Sequence, residues 1–327
     1  MLQLIRNNSP FTVIILFIFT ILVKMQFLLH PVAPVVTQNF LFEQVVTFFD
    51  LILFNNAFAY TLLAIIMLFG QAIYLNAIAI RHKLYGKQTY YVAFLYLSLT
   101  SLYPAFNYFS EVLLANWFII SALNIILNIH QTSKPRSGIF NIGFLISMAA
   151  ILHAPSVFLF LLVFVSVSLL RRFNPSEWLV GLVGYLTPIY FFVTFLYLFN
   201  MLDELPGWIH LGISLPRRIP DPIYIIGLVV GVIMLLSMGT YSLQKQIVRA
   251  SIFTRRGWTV IASMLFFSML VAVFTPFEVR SGWLIALPAL SLVVAPALYS
   301  EKNKLFSNFV FYFSLLLIVY CQFTANF

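Results

Sequence analysis

Long apolar runs separated by short polar connections dominate the chain. Each run has about 15 to 23 residues, the length that a helix needs to cross a hydrocarbon core of about 30 Å. Strands of a membrane barrel would instead alternate over about ten residues. The pattern predicts an all-α, polytopic transmembrane bundle forming one domain over residues 1–327. Its eleven predicted spans are 11–29, 57–80, 88–105, 111–130, 139–153, 156–170, 179–200, 223–243, 259–275, 283–299 and 305–324.

The first run resembles a secretory signal because Arg6 precedes it. It is too long for the apolar region of a signal, and Pro31 and Pro34 follow it in place of a small-residue cleavage site. We therefore interpret it as a retained first span.

Spans five and six are short and share the tight turn at His153, Ala154 and Pro155. At 1.5 Å per residue each reaches only about 22 Å. Either their tips lie below the outer membrane surface, or the pair is re-entrant, and His153 then lies on the floor of a hollow. Tilted helices with boundaries wrong by a few residues are the other interpretation.

The first outer segment predicts an amphipathic helix that begins near Asn39. Its polar residues Asn39, Glu43, Thr47 and Asp50 follow spacings of four, four and three, which is one face of a helix. The opposite face is predicted to carry Phe40, Leu41, Val45, Phe48 and Leu51 or their neighbours. Such a helix is expected to lie in the outer interface, with Glu43 and Asp50 facing water or the other outer loops.

Composition and charge give this bundle an orientation. The chain is 62% hydrophobic and 8% charged, whereas soluble domains have about 25% charged residues. Connections on one side hold 14 of the 18 Lys and Arg residues, and the positive-inside rule assigns that side to the cytoplasm. The N-terminus is thus predicted inside and the C-terminus outside. The net charge of +9 follows from this topology, and we expect no nucleic-acid partner.

The outer side collects most carboxylates and a few cations. The predicted outer loop 203–222 holds three carboxylates, a histidine and two consecutive arginines, and Glu278 accompanies Arg280 in another. Arginine binds phosphate in a bidentate manner, and Lys24 is a cation within the first span. Glu43 and Asp50 are therefore candidate catalytic bases. Candidate ligands of a lipid phosphate or substrate are Lys24, His153, His210, Arg217, Arg218, Asp221, Glu278 and Arg280. Equally, these groups could pair with one another or with lipid heads, and Lys24 could extend to the headgroups.

Several classes of site are excluded or weakened. The five histidines divide between the two sides, and Cys321 is the only cysteine, so we expect no metal site and no cofactor. We find neither a mid-membrane carboxylate nor an internal repeat, which disfavours an ion-coupled transporter. Gly181, Gly184 and the pair Gly227 and Gly231 predict close helix packing. Intramembrane Gln71, Asn76, Asn124 and Asn128 predict hydrogen bonds between helices.

The segments 71–118, 139–155 and 171–192 resemble an uncharacterised family of multipass bacterial inner-membrane proteins, a domain of unknown function. This likeness implies a similar fold, in the inner membrane, and no particular catalysis. More loosely, the architecture is similar to GT-C glycosyltransferases. That similarity implies transfer of a sugar or glycan from a polyprenyl-phosphate carrier at the outer, periplasmic face, with Glu43 or Asp50 as base. The chain departs from that superfamily in having no adjacent acidic pair after the first span. The alternative is a non-catalytic subunit or assembly factor that binds other inner-membrane proteins.

Overall fold

The computed structural model describes residues 9–34, 39–129, 135–171, 174–205, 221–248, 250–276, 281–299 and 304–324. These residues form helices and no strands, which confirms the all-α prediction. The helices are α1 Pro10–Leu29, α2 Phe40–Leu53, α3 Ala57–Arg81, α4 Tyr91–Thr100, α5 Glu111–Asn128, α6 Pro135–Leu152, α7 Phe160–Leu170, α8 Pro175–Leu198, α9 Pro222–Ile247, α10 Ile252–Phe274, α11 Leu287–Val294 and α12 Lys304–Thr324.

Eight of these helices are long and apolar enough to cross a membrane: α1, α3, α5, α6, α8, α9, α10 and α12. The chain is therefore a multipass membrane protein. The remaining predicted spans, 88–105, 156–170 and 283–299, contain shorter helices, with 3₁₀ turns before or after them at Pro104–Asn107, Ala154–Leu159, Gly282–Ala286 and Ala295–Ala297. Every residue of α4 and α11 is buried in the protein. Non-helical backbone is tolerated at such places because protein groups, rather than lipid, surround it.

Three predicted spans begin too late. The helices α6, α8 and α10 start at Pro135, Pro175 and Ile252, about four to seven residues before spans 139–153, 179–200 and 259–275. The hydropathy pattern excluded their first turns because polar residues such as Ser176, Arg255 and Arg256 occur there. A helix continues beyond the apolar layer when its first turn is capped, and Asn174 and Ser251 cap α8 and α10.

Paired contacts give the direction of each helix in the first half of the bundle. The Gln71 amide donates to the Leu113 carbonyl, and His82 bonds to Asn124, so α3 and α5 run in the same direction. Similarly, α6 and α8 are parallel, since Arg136 bonds to Ser176 and Ile151 packs with Phe192 and Leu196. The chain therefore returns between the members of each pair through α4 and through α7 with its preceding 3₁₀ turn.

In the second half of the bundle, successive segments also alternate in direction. One end of the bundle contains Tyr85, against which Trp258 and Tyr299 pack; we call it the Tyr85 end. The opposite end, the His153 end, contains His153 beside Thr275. Helix α10 begins near the Tyr85 end, at Trp258, and ends at the His153 end, next to Thr275. Residues 282–299 run back to the Tyr85 end, and α12 then runs to the His153 end again. At the His153 end, Gln322 of α12 donates to the Val23 carbonyl of α1.

Helix α2 lies on the bundle rather than within it. Asn39 caps its N-terminus, which confirms the predicted start, but its apolar residues differ in position from the prediction. Phe42 and Val46 are buried against the bundle, whereas Phe48 and Leu51 are 60% and 76% exposed. The helix therefore has three faces: one packs on the bundle, one is polar, and one is apolar and exposed. The residues Phe48, Leu51, Ile52 and Phe54 form its exposed apolar edge.

Candidate functional site

The described candidate residues gather at the His153 end. Lys24 lies near the end of α1, and Glu43 and Asp50 lie on α2, whose cap residue Asn39 donates from Nδ2 to the Leu152 carbonyl at 2.6 Å. Asp221 precedes α9 with a left-handed backbone (φ 44°), and nearby Tyr224 donates to the Leu102 carbonyl of the same end. The other candidates, His210, Arg217, Arg218, Glu278 and Arg280, lie outside the described residues.

Lys24 is fully buried and does not reach the surface. Its Nζ donates to Thr100 Oγ1 at 3.1 Å and to Asn107 Oδ1. Thr100 ends α4, and Asn107 ends the following 3₁₀ turn. Within the described parts of the chain, no carboxylate forms an ion pair with Lys24. The amine is therefore held by neutral oxygens of one segment and is shielded from the surface.

Glu43 and Asp50 occupy different environments, although both lie on α2. The Glu43 side chain is exposed and makes no hydrogen bond or ion pair with any described residue. Asp50 is half-buried, and its Oδ1 accepts from the buried Tyr60 hydroxyl at 2.7 Å. The same hydroxyl lies 3.1 Å from the Val46 carbonyl. Asp50 thus fastens α2 to α3, while the carboxylate of Glu43 is accessible.

His153 is fully buried between three elements and has partners at both ring nitrogens. Nδ1 lies 3.0 Å from Ser156 Oγ, and Nε2 lies 3.4 Å from Thr275 Oγ1. The Thr275 hydroxyl donates its hydrogen to the Val271 carbonyl, so it accepts from Nε2. The imidazole therefore connects the turn after α6 to the end of α10. The sequence predicted His153 on the floor of an open hollow; this was wrong, because the side chain is fully buried between protein elements.

No family model matches this chain, and neither a curated protein nor a solved structure matches it.

The partners of the candidate residues were not predicted from the sequence. Thr100, Asn107, Tyr60 and Thr275 each bind a candidate side chain, yet none belongs to a motif. Asn107 carried a weak signal, because it is a polar residue between aromatic residues in a segment expected to end at the membrane surface. The described residues include no group of three or more His, Cys, Asp or Glu side chains placed to hold a metal ion.

Proposed function

We propose that the protein is a GT-C-like enzyme of the bacterial inner membrane that transfers a sugar or glycan from a polyprenyl-phosphate carrier at the outer face. The observation that supports this best is the accessible carboxylate of Glu43 on α2, an amphipathic helix at the His153 end. The exposed apolar edge of the same helix suits contact with lipid, so a lipid-linked donor and the candidate base would meet there.

Glu43 acts as the general base in this proposal. It removes the proton of an acceptor hydroxyl, whose oxygen forms a bond to the anomeric carbon of the sugar as the bond to the carrier phosphate breaks. The polyprenyl phosphate leaves with the electron pair. Arg217, Arg218 and Arg280 are the proposed ligands of that phosphate, because arginine matches its geometry. Asp50 has a smaller role than Glu43, since its carboxylate already binds Tyr60.

Loss of transfer on substitution of Glu43 is the expected result for this proposal. Purified protein in proteoliposomes is incubated with a panel of radiolabelled polyprenyl-phosphate-linked hexoses, and release of polyprenyl phosphate is measured. Glu43→Gln removes the base and should lower the rate about 100-fold or more, with an unchanged melting temperature. Gln44→Ala, at the next exposed position of α2, is the control. Release by Glu43→Gln and Arg218→Ala at the wild-type rate would contradict the proposal.

We also propose that all eleven helical segments cross the membrane, with the N-terminus in the cytoplasm and the C-terminus outside. The alternating directions of the described segments support this number, and the distribution of Lys and Arg supports the orientation. The His153 end is then the outer end.

A C-terminal reporter distinguishes eleven crossings from eight, because an odd number brings the two termini to opposite sides. We expect alkaline phosphatase fused after Phe327 to be active and green fluorescent protein at the same place to be dark. Fusions after Lys87 and Lys245, in predicted cytoplasmic connections, provide the reverse control. A fluorescent C-terminal fusion would show that at least one short segment does not cross.

A non-catalytic membrane subunit or assembly factor is the second candidate. It is favoured by the internal bonds of Lys24 and His153, which leave the described interior with fewer groups for a substrate. In this case a partner should co-purify at a fixed ratio from mild detergent. A persistent monomer would argue against the subunit.

A further inference from the structure

The segment that joins α4 to α5 is buried without being α-helical. Leu102, Ala105, Phe106, Asn107 and Phe109 are all at most 7% exposed, and only residues 104–107 form a 3₁₀ turn. The last carbonyls of α4 and those of this segment lack the partners that a continuing helix would provide. The carbonyls of Ser98, Leu99 and Tyr103 accept from the amides three residues further along. Those of Thr100 and Leu102 have no backbone donor among the described residues, so they need one from a side chain.

Two side chains provide such donors. Asn107 Nδ2 donates to the Thr100 carbonyl at 3.0 Å and contacts the Tyr103 carbonyl at 3.3 Å. From α9, the Tyr224 hydroxyl donates to the Leu102 carbonyl at 2.5 Å. Asn107 can only act in this way if its amide group keeps one orientation, with Nδ2 toward these carbonyls and Oδ1 away from them. A donor at Oδ1 fixes that orientation.

Lys24 is that donor. Its Nζ binds Asn107 Oδ1 and also Thr100 Oγ1, whose own hydrogen goes to the Leu97 carbonyl. The carboxyl end of a helix carries a partial negative charge, which an amine group at this place offsets. Because no described carboxylate pairs with Lys24, the end of α4 and Asn107 are its electrostatic partners. An apolar residue here would leave two buried oxygens without a donor.

Phe109 connects this segment to helix α2 at the surface of the bundle. Its ring packs against Phe42 and Phe49 of α2 and Tyr60 of α3, with centroid distances of 5.8, 5.6 and 5.5 Å. Tyr60 is also the residue that binds Asp50. Helix α2 therefore packs on Phe109, which ends the segment that Lys24 binds at Thr100 and Asn107.

We propose that Lys24 is a buried hydrogen-bond donor that completes the carboxyl end of α4 and holds residues 101–109 in their buried path, and that it thereby stabilises the position of α2. This role is a property of the fold and does not depend on glycosyl transfer. It also accounts for a lysine within a membrane span that has no access to the surface, a position at which a charged group is otherwise costly.

Hydrogen exchange of the purified full-length protein in nanodiscs tests the proposal. Lys24→Met keeps the length of the side chain and removes its donors. We expect amides of residues 101–110 to exchange about tenfold faster, and those of residues 40–53 to follow, while peptides from α8 keep their wild-type rates; tenfold corresponds to 1.4 kcal/mol of local opening free energy. Gln26→Met, a polar-to-methionine change two residues along α1, is the control and should change neither region.

A double-substitution cycle separates the hydrogen bonds of Lys24 from general packing. Because Lys24 acts largely through Asn107 but also binds Thr100, Lys24→Met combined with Asn107→Leu should increase exchange by less than the two single effects combined. Unchanged exchange at 101–110 in Lys24→Met would overturn the proposal, as would additive effects in the cycle. Should Lys24→Met not fold, Thr100→Val removes one acceptor of Lys24 together with the bond of that hydroxyl to the Leu97 carbonyl. Wild-type exchange in that variant would also overturn the proposal.

Discussion

Gly143→Ala is expected to be among the most destabilising single-methyl additions in this protein. A Cβ atom at Gly143 of α6 would lie 2.5 Å from the Gly181 carbonyl oxygen and 2.8 Å from the Tyr185 nitrogen of α8. Both atoms belong to backbone, so no side chain can move aside, and the two helices must separate. We expect a loss of about 3 kcal/mol, and a melting temperature lower by roughly 6–12 °C on the scale of soluble domains of 150–250 residues.

The same helix provides a matched control. An added Cβ at Gly138 would meet only side-chain atoms of Ile125 and Ile129, at 3.7 and 3.9 Å, which is ordinary contact. Gly138→Ala should leave the melting temperature unchanged or raise it slightly, since alanine favours a helix by about 1 kcal/mol. Equal melting temperatures for the two variants in the same detergent would mean that α6 and α8 are not in backbone contact. Gly184→Ala, which faces the Phe140 backbone, should behave like Gly143→Ala.

The glycine residues show how much of the helix packing could be predicted from the sequence. Close packing was predicted for Gly181 and Gly184, and both lie against α6. Their partner Gly143 could not be identified, because the choice of neighbouring helix depends on the tertiary arrangement. For Gly227 and Gly231 the sequence predicted close contact, and the structure shows that Tyr320 and Leu317 of α12 provide it. A small-residue pattern thus predicts that another element packs closely against a helix, but it does not identify that element.

For polar residues inside the spans, too, the sequence predicts that a contact forms but does not identify the partner. Interhelical hydrogen bonds were predicted for Gln71, Asn76, Asn124 and Asn128. They are confirmed for Gln71 and Asn124, with the Leu113 carbonyl, Tyr74 and His82 as partners. The prediction was wrong for Asn76, whose buried Oδ1 has no partner among the described residues, and for Asn128, which is exposed. The anomaly of Lys24 was visible in the sequence, whereas its partners are 76 and 83 residues away along the chain. A lysine within a span requires a polar partner, but only the fold determines whether that partner is a ligand, a lipid or the protein itself.

Helix α2 is the element on which both the fold and the proposed activity depend. The spacing of its polar residues predicted a helix that begins near Asn39, but two-faced periodicity could not distinguish apolar residues that pack on the bundle from those that stay exposed. Among the contacts that hold α2 on the bundle are Asn39 to α6, Asp50 to α3, and Phe42 and Phe49 to Phe109. Glu43 has a defined position only as long as they hold.

Asn39→Ala is expected to detach the beginning of α2. The Asn39 side chain accepts from the Leu41 and Phe42 amides of α2, and it donates to the Leu152 carbonyl at the end of α6. Loss of a cap costs about 1 kcal/mol, and a buried carbonyl left without its donor costs about 1–3 kcal/mol more. The variant should therefore melt several degrees lower than wild type, with faster hydrogen exchange in residues 40–45 and 149–153.

Asn56→Ala and Asn39→Ser separate the two contributions. Asn56 caps α3 through one exposed bond to the Phe58 amide, so its loss should cost less and affect exchange only near residue 57. Serine at position 39 can still cap α2 but is too short to reach Leu152, and we expect an intermediate melting temperature with exchange increased only at 149–153. If Asn39→Ala is as stable as Asn56→Ala, the bond between α2 and α6 does not stabilise the protein, and the remaining contacts of α2, with Tyr60 and Phe109 among them, position Glu43.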